Sequence, residues 1–166
     1  ANFLVVIGQN QSFMPSQISY AFAVSGIVGM LGAIIANRLG ERAGMIAPLM
    51  AAYAILAISC IMLIFSFSLP IWTASLSVAA IAQGCAAPYL ISWLYRIDPS
   101  RRLVSLNVAL GTLGMSLGTG VGGWIYERFG AHMIFVISAS ATTFFLLCLP
   151  VLNARLTGRH ENADRV

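Results

Sequence analysis

IWTASLSVAAIAQGCAAPYLISWLY, residues 71–95, runs for 25 residues without a charged side chain and then stops at Arg96. A helix needs about 20 mostly apolar residues to cross the hydrocarbon core of a bilayer. A barrel strand would need about ten and would alternate in polarity, which this stretch does not. Inside lipid every backbone N–H and C=O must bond within the protein, and a helix achieves this within its own segment. The stretch therefore reads as a membrane-spanning helix. Working outward from it, four more stretches read the same way, at about 17–37, 44–66, 103–126 and 132–153. Residues 1–8 are apolar but too short to cross, and read as the tail of a truncated helix. The first residue is Ala1 rather than Met, which fits a fragment. The expected fold is an all-α membrane protein, a polytopic helix bundle with five full spans and one truncated one.

Composition supports this. Hydrophobic residues make up 59 % and charged residues 8 % of the chain, and the mean hydropathy is +0.88. A soluble domain carries about a quarter charged residues and could not cover its surface with so few. All nine basic residues are arginines, and they fall in the breaks between apolar runs. The net charge of +4 is thus a membrane-edge feature and not a nucleic-acid signal. The cysteines, Cys60, Cys85 and Cys148, lie within apolar runs, where thiols act as small hydrophobes. Their spacing offers neither a disulfide framework nor a metal site.

The breaks carry helix punctuation. Asp98-Pro99 reads as an N-cap followed by a first-turn proline, and Pro70 opens a span in the same manner. Gly40 and Gly130 sit in turns, while Pro48 and Pro88 fall inside spans as tolerated kinks. Orientation follows from arginine placement. Arg38, Arg42, Arg96, Arg101, Arg102, Arg155, Arg159 and Arg165 occupy alternate connections and the tail; the opposite connections hold Arg128. The positive-inside rule places the first set, with the tail 154–166, in the cytoplasm, as expected of a multi-pass protein of the cell (inner) membrane.

Catalysis finds no foothold. Glu41, Asp98, Glu127 and His132 stand at membrane edges and His160 in the tail, with no nucleophile–base pair and no phosphate loop. No cofactor or metal is expected. Polar groups within spans carry more information, because burying them in lipid is costly. Gln83 lies about halfway along its span, and Tyr89 and Trp93, four residues apart, share a helix face. These three are candidates to line a substrate cavity. Interhelical hydrogen bonding for Gln83, and packing or an interfacial belt for the aromatics, are the competing readings.

Four features share a common order. The turn Ala33-Ile34-Ile35-Ala36-Asn37-Arg38-Leu39-Gly40-Glu41-Arg42 resembles the cytoplasmic signature loop of the major facilitator superfamily of secondary transporters. Arg38, Gly40 and Arg42 match; Ala33, Asn37 and Glu41 replace the expected glycine, aspartate and first basic residue. Leu76-x-x-x-Ala80-x-x-Gln83-Gly84-x-Ala86-Ala87 is similar to the family's fourth-helix motif, with Ala80 where its arginine would stand. Gly114-x-x-x-Gly118-Thr119-x-x-Gly122-Gly123 resembles the glycine-rich antiporter motif, with Thr119 in place of a proline. Gly111, Gly114, Gly118 and Gly122 fall on one helical stripe, with Gly123 beside it, and small residues let backbones approach closely. The ending Gly122 to Gly130 looks like the family's penultimate helix and external turn.

The resemblance implies a C-terminal half: Ala80 lacks the motif arginine, Asn37 lacks the acid, and the antiporter motif is degraded. It implies alternating-access transport of a small-molecule substrate across the lipid bilayer, with the missing N-terminal half as partner. Uptake or efflux, and proton coupling, stay open. No charge lies within a span, so a coupling carboxylate would belong to the other half, or the carrier is a uniporter. The rival class is a non-transporting membrane scaffold assembled through the glycine stripe.

Overall fold

A computed structural model of the chain describes residues 2–10, 12–40, 44–65, 68–98, 100 and 102–163, with backbone alone for 2, 3, 10 and 152–163. These residues form six helices and no strand: α1 Asn2–Asn10, α2 Pro15–Leu39, α3 Ile46–Ile64, α4 Leu69–Ile97, α5 Arg102–Phe129 and α6 Ala131–Ala163. Helices α2 to α5, and Ala131–Val151 of α6, are long and apolar enough to cross a membrane. The fold is an all-α polytopic bundle, with the spans where the sequence places them. The ends differ for a physical reason. α6 runs on through the stretch read as a tail, because hydropathy marks where a helix leaves lipid, not where its backbone hydrogen bonding stops.

Local chemistry explains the boundaries. α2 opens with Pro15 at its first position, and the Gln17 side-chain oxygen accepts a hydrogen bond from the Met14 N–H at 2.9 Å. It closes at Gly40, whose φ of +50° is natural to glycine and whose N–H donates to the Ala36 carbonyl at 3.0 Å. Pro70 opens α4 as expected. Pro48 does not kink a span: α3 starts at Ile46, so this proline falls in the first turn, where its missing N–H is no loss. Pro88 does lie inside α4, where it leaves the Gly84 carbonyl without its helical donor. Asp98 ends α4, and its carboxylate accepts from the Ser100 and Leu103 N–H groups at 3.0 and 3.1 Å. It thereby caps the start of α5 from four residues upstream.

Most hydroxyls inside the spans are satisfied by their own helix. Ser59, Thr73, Ser75 and Ser77 each donate to the carbonyl four residues back, at 2.8–2.9 Å, and Thr112, Ser116, Ser140 and Thr142 do likewise at 2.7–3.1 Å.

Two apolar clusters hold the bundle. At the arginine-poor end, Ile7, Ile18, Ala21, Leu63, Trp72, Leu76 and Phe135 join α1, α2, α3, α4 and α6. At the arginine-rich end, Ala36, Leu49, Ala52, Ala86, Tyr89 and Leu149 join α2, α3, α4 and α6. The α2–α4 pairing is the most extensive. Its backbones touch at three glycines. A side chain at Gly32 would collide with the Ile81 carbonyl oxygen and approach the Cys85 nitrogen to 2.9 Å. One at Gly84 would collide with the Gly29 carbonyl oxygen, and one at Gly29 would crowd the Ala80 Cβ at 3.1 Å. Helix α5 is the opposite case, with none of its described residues buried.

Candidate functional site

Gly32 and Gly84 bring α2 and α4 together at mid-span, and beyond them towards the arginine-rich end the pair opens into a cleft of about 280 Å³. Asn37 and Gly40 from the end of α2, Met45 ahead of α3, and Pro88, Tyr89 and Ser92 of α4 line it. Tyr89 is buried, and its hydroxyl lies 3.1 Å from the Gly40 carbonyl and 3.3 Å from the Ala36 carbonyl. One phenolic hydrogen is thus shared between the Gly40 carbonyl and the Ala36 carbonyl, which also accepts the Gly40 N–H. The same contact ties the signature turn to α4 just past Pro88, where that helix is missing one of its own hydrogen bonds.

The structure therefore joins three of the singled-out residues, Asn37, Gly40 and Tyr89, in one place. Arg38 is exposed in the last turn of α2. Arg42 lies outside the described residues. Trp93 is half-buried one turn beyond Tyr89 and is held by a contact of its own. Gln83 stands apart from the cleft. It is exposed on α4, with Ala87 and Ile91 continuing the exposed face one and two turns on. Gly111, Gly114 and Gly118 of α5 have nothing within 4 Å of where a Cβ would stand, while Gly122 and Gly123 are half-buried.

Asn37, Tyr89 and Ser92 give the cleft hydrogen-bonding groups and no charge of its own. Asp98, beyond the span at the same end, is held below the ordinary carboxylate range, first by the Ser100 hydroxyl and then by the Leu103 N–H. It is a structural anion engaged in capping. Among the described residues no group of histidine, cysteine, aspartate or glutamate is placed to hold a metal. An arrangement of this kind can latch helices or receive a polar uncharged group.

Two features escaped sequence reasoning. Gly84 stands in the fourth-helix motif, but its contact partners Gly29 and Gly32 were not singled out. The signal was present: Ser25, Gly29, Gly32 and Ala36 recur at helical spacing on α2, as the glycines of α5 do on theirs. Trp72, at the centre of the arginine-poor cluster with no exposed surface, was also passed over. An aromatic early in an apolar span gives no sign of which residues will surround it.

Comparison with known proteins adds three findings. The family model described as Major Facilitator Superfamily matches residues 1–165. An uncharacterised MFS-type transporter of Bacillus subtilis (strain 168), YceJ, is 27 % identical over 155 residues, which is 90 % of this chain and 39 % of that protein. The chain thus spans well under half the length of this relative. No solved structure matches.

Proposed function

The chain belongs to the major facilitator superfamily, and from that premise we propose that it is the C-terminal half of a secondary transporter that moves a small solute by alternating access. Its spans would be the last five of the whole carrier, with α1 the end of the one before. The two halves of such a carrier rock about a site near the bilayer midplane. The arginine-rich end would face the cytoplasm, with the C-terminus, in the inner membrane of the cell.

The observation that carries this reading is Gln83. It is an exposed amide midway along a helix apolar enough to cross a membrane, with the small Ala87 one turn on. An amide facing hydrocarbon is costly, so this face calls for water, solute or protein against it. An amide both donates and accepts, which suits an uncharged or zwitterionic polar solute. Tyr89 and Asn37 are better suited to a latch at the cytoplasmic end than to the cavity itself, because the Tyr89 hydroxyl is already committed to α2. Trp93 remains a cavity candidate.

The test is Gln83→Ala in the whole carrier. A raised apparent KM for solute, with protein abundance and melting temperature near the parent's, is the expected result. Unchanged kinetics with a lower melting temperature, the loss of an interhelical bond of about 0.6 kcal/mol on average, would reduce Gln83 to helix adhesion and favour the scaffold reading. Orientation is checked by single cysteines at Ser100 and Ser12. The first should label from the cytoplasmic side and the second from outside.

A further inference from the structure

Helix α5 divides lengthwise into faces of different chemistry. Its glycine stripe occupies one, and the hydroxyls of Thr112, Ser116 and Thr119 another. The third face is Leu106, Leu110, Leu113, Leu117 and Val121. They recur every three or four residues, which keeps them within a sector about 80° wide. Each is exposed, by 52–66 %. Lipid tails are as apolar as leucine, so these side chains gain little by leaving them, whereas close helix neighbours are received by small residues.

Both ends of this face change character together. At the arginine-rich end Arg102, exposed in the first turn of α5, stands four residues before Leu106. At the other end Trp124 follows Val121 by three residues, and Arg128 follows Trp124 by four. The Arg128 guanidinium lies over the Trp124 ring, 5.3 Å from its centroid, and Phe129 meets that ring edge-on at 6.2 Å. Trp124 and Phe129 are exposed. Tryptophan is a residue of the membrane interface, and a guanidinium presents paired N–H donors that match phosphate oxygens. The lengths agree as well. From Leu106 to Trp124 the helix rises about 27 Å, and from Arg102 to Arg128 about 39 Å. The hydrocarbon core of a bilayer is about 30 Å thick, and about 40–45 Å with its headgroup layers. Arg128 is also the one arginine of the arginine-poor end, where orientation gives no reason to keep it.

We propose that this face of α5 is seated in phospholipid, and that Arg102 and Arg128 each hold a lipid phosphate, one in either leaflet. None of the described residues of α5 is buried within this chain. The bilayer, gripped at both headgroup layers, then sets the depth of the helix. The proposal concerns α5 and lipid, and stands whether or not solute moves.

The experiment uses the whole carrier with its native cysteines replaced and a nitroxide on Leu113→Cys, in phosphatidylglycerol vesicles. The label should collide often with oxygen and rarely with a water-soluble nickel chelate. Few collisions with either would place protein on this face, the other half or a second copy. Frequent collisions with the chelate would place water there. Either result overturns the proposal. Phosphate contact is read from melting temperatures in nanodiscs of phosphatidylglycerol and of digalactosyldiacylglycerol, which has no phosphate, with matched acyl chains. The parent should melt higher in phosphatidylglycerol. That difference should shrink in Arg102→Gln and in Arg128→Gln, and most in the double variant. Equal melting of the parent in both discs, or an undiminished difference in the double variant, would overturn the phosphate contacts. Recovery of the difference by inorganic phosphate added to the glycolipid discs would overturn them too, leaving sites for a free ion.

Discussion

Helices α2 and α5 carry nearly the same message in sequence and meet opposite fates in structure. On α2, Ser25, Gly29, Gly32 and Ala36 recur at helical spacing; on α5, Gly111, Gly114, Gly118 and Gly122 do so. The α2 stripe is pressed against α4 so closely that a side chain at Gly32 would strike backbone. The α5 stripe has open space above it, and none of the described residues of α5 is buried. A small-residue stripe states that a neighbour can come close; it does not state which neighbour. The α2 stripe finds its partner within this chain. For the α5 stripe we propose a partner in the other half of the carrier.

Substituting the two stripes in parallel is the strongest way to break this comparison. Gly32→Leu should abolish recovery of folded, monodisperse protein in detergent. Overpacking alone costs about 1–3 kcal/mol, and here the obstacle is backbone that cannot rotate away. Gly114→Leu in this 166-residue chain should leave recovery and melting temperature within error of the parent. Equal yields for the two would dissolve the distinction. Moving the test to the whole carrier sharpens it. There Gly118→Leu should impair assembly by about 1–3 kcal/mol, while the nearby Leu117→Ala does little. Matching folded yields for that pair would remove the proposed partner.

Smaller effects probe how the α2–α4 seam is fastened at its arginine-rich end. Tyr89→Phe keeps the ring and takes away the hydrogen shared by the Ala36 and Gly40 carbonyls, so a loss of about 1 kcal/mol in thermal or denaturant unfolding is expected. An unchanged melting curve would mean that packing alone holds the signature turn. The least effect is expected at Asp98. Its carboxyl in the folded chain lies below the ordinary value, chiefly through the Ser100 hydroxyl. Its contribution is therefore present above the unfolded value and is lost as pH falls through the folded one. The acid limb of a melting-temperature profile should flatten in Asp98→Asn; a limb of the same slope would assign the acid sensitivity to other groups.

The spans were readable from sequence because hydrocarbon thickness and backbone satisfaction together leave few alternatives to a 20-residue apolar helix. Residues 71–95 were enough to decide the class, and Gly40, Gly130, Pro70 and Pro88 fell where their chemistry placed them. Asp98 was read as a cap at the right helix end, although α5 begins three residues later than the word N-cap implies. Pro48 was misplaced because hydropathy does not register the first turn of a helix, where apolar residues already lie outside the hydrogen-bonded repeat. The site was less readable. Tyr89 and Trp93 share a face on a helical wheel, but a wheel does not show that the end of α2 lies against one of them. Gln83 was found by its polarity, a property of the residue itself. Gly29, Gly32 and Trp72 were missed because their importance is a property of pairs, and one chain without its contacts carries no pairs.

The hydroxyls of Ser59, Thr73, Ser75 and Ser77, each folded back onto the carbonyl one turn earlier, bear on how such a chain reaches its membrane at all. During synthesis a span leaves the ribosome and passes sideways into the bilayer before it has packed against its neighbours. A polar side chain that depended on a neighbouring helix would enter the hydrocarbon unsatisfied and oppose that step. These hydroxyls depend on nothing beyond their own helix, so α3 and α4 carry them through partitioning with their hydrogen bonds already formed. Bonds between helices, such as the one from Tyr89 to the end of α2, can then wait until the spans meet.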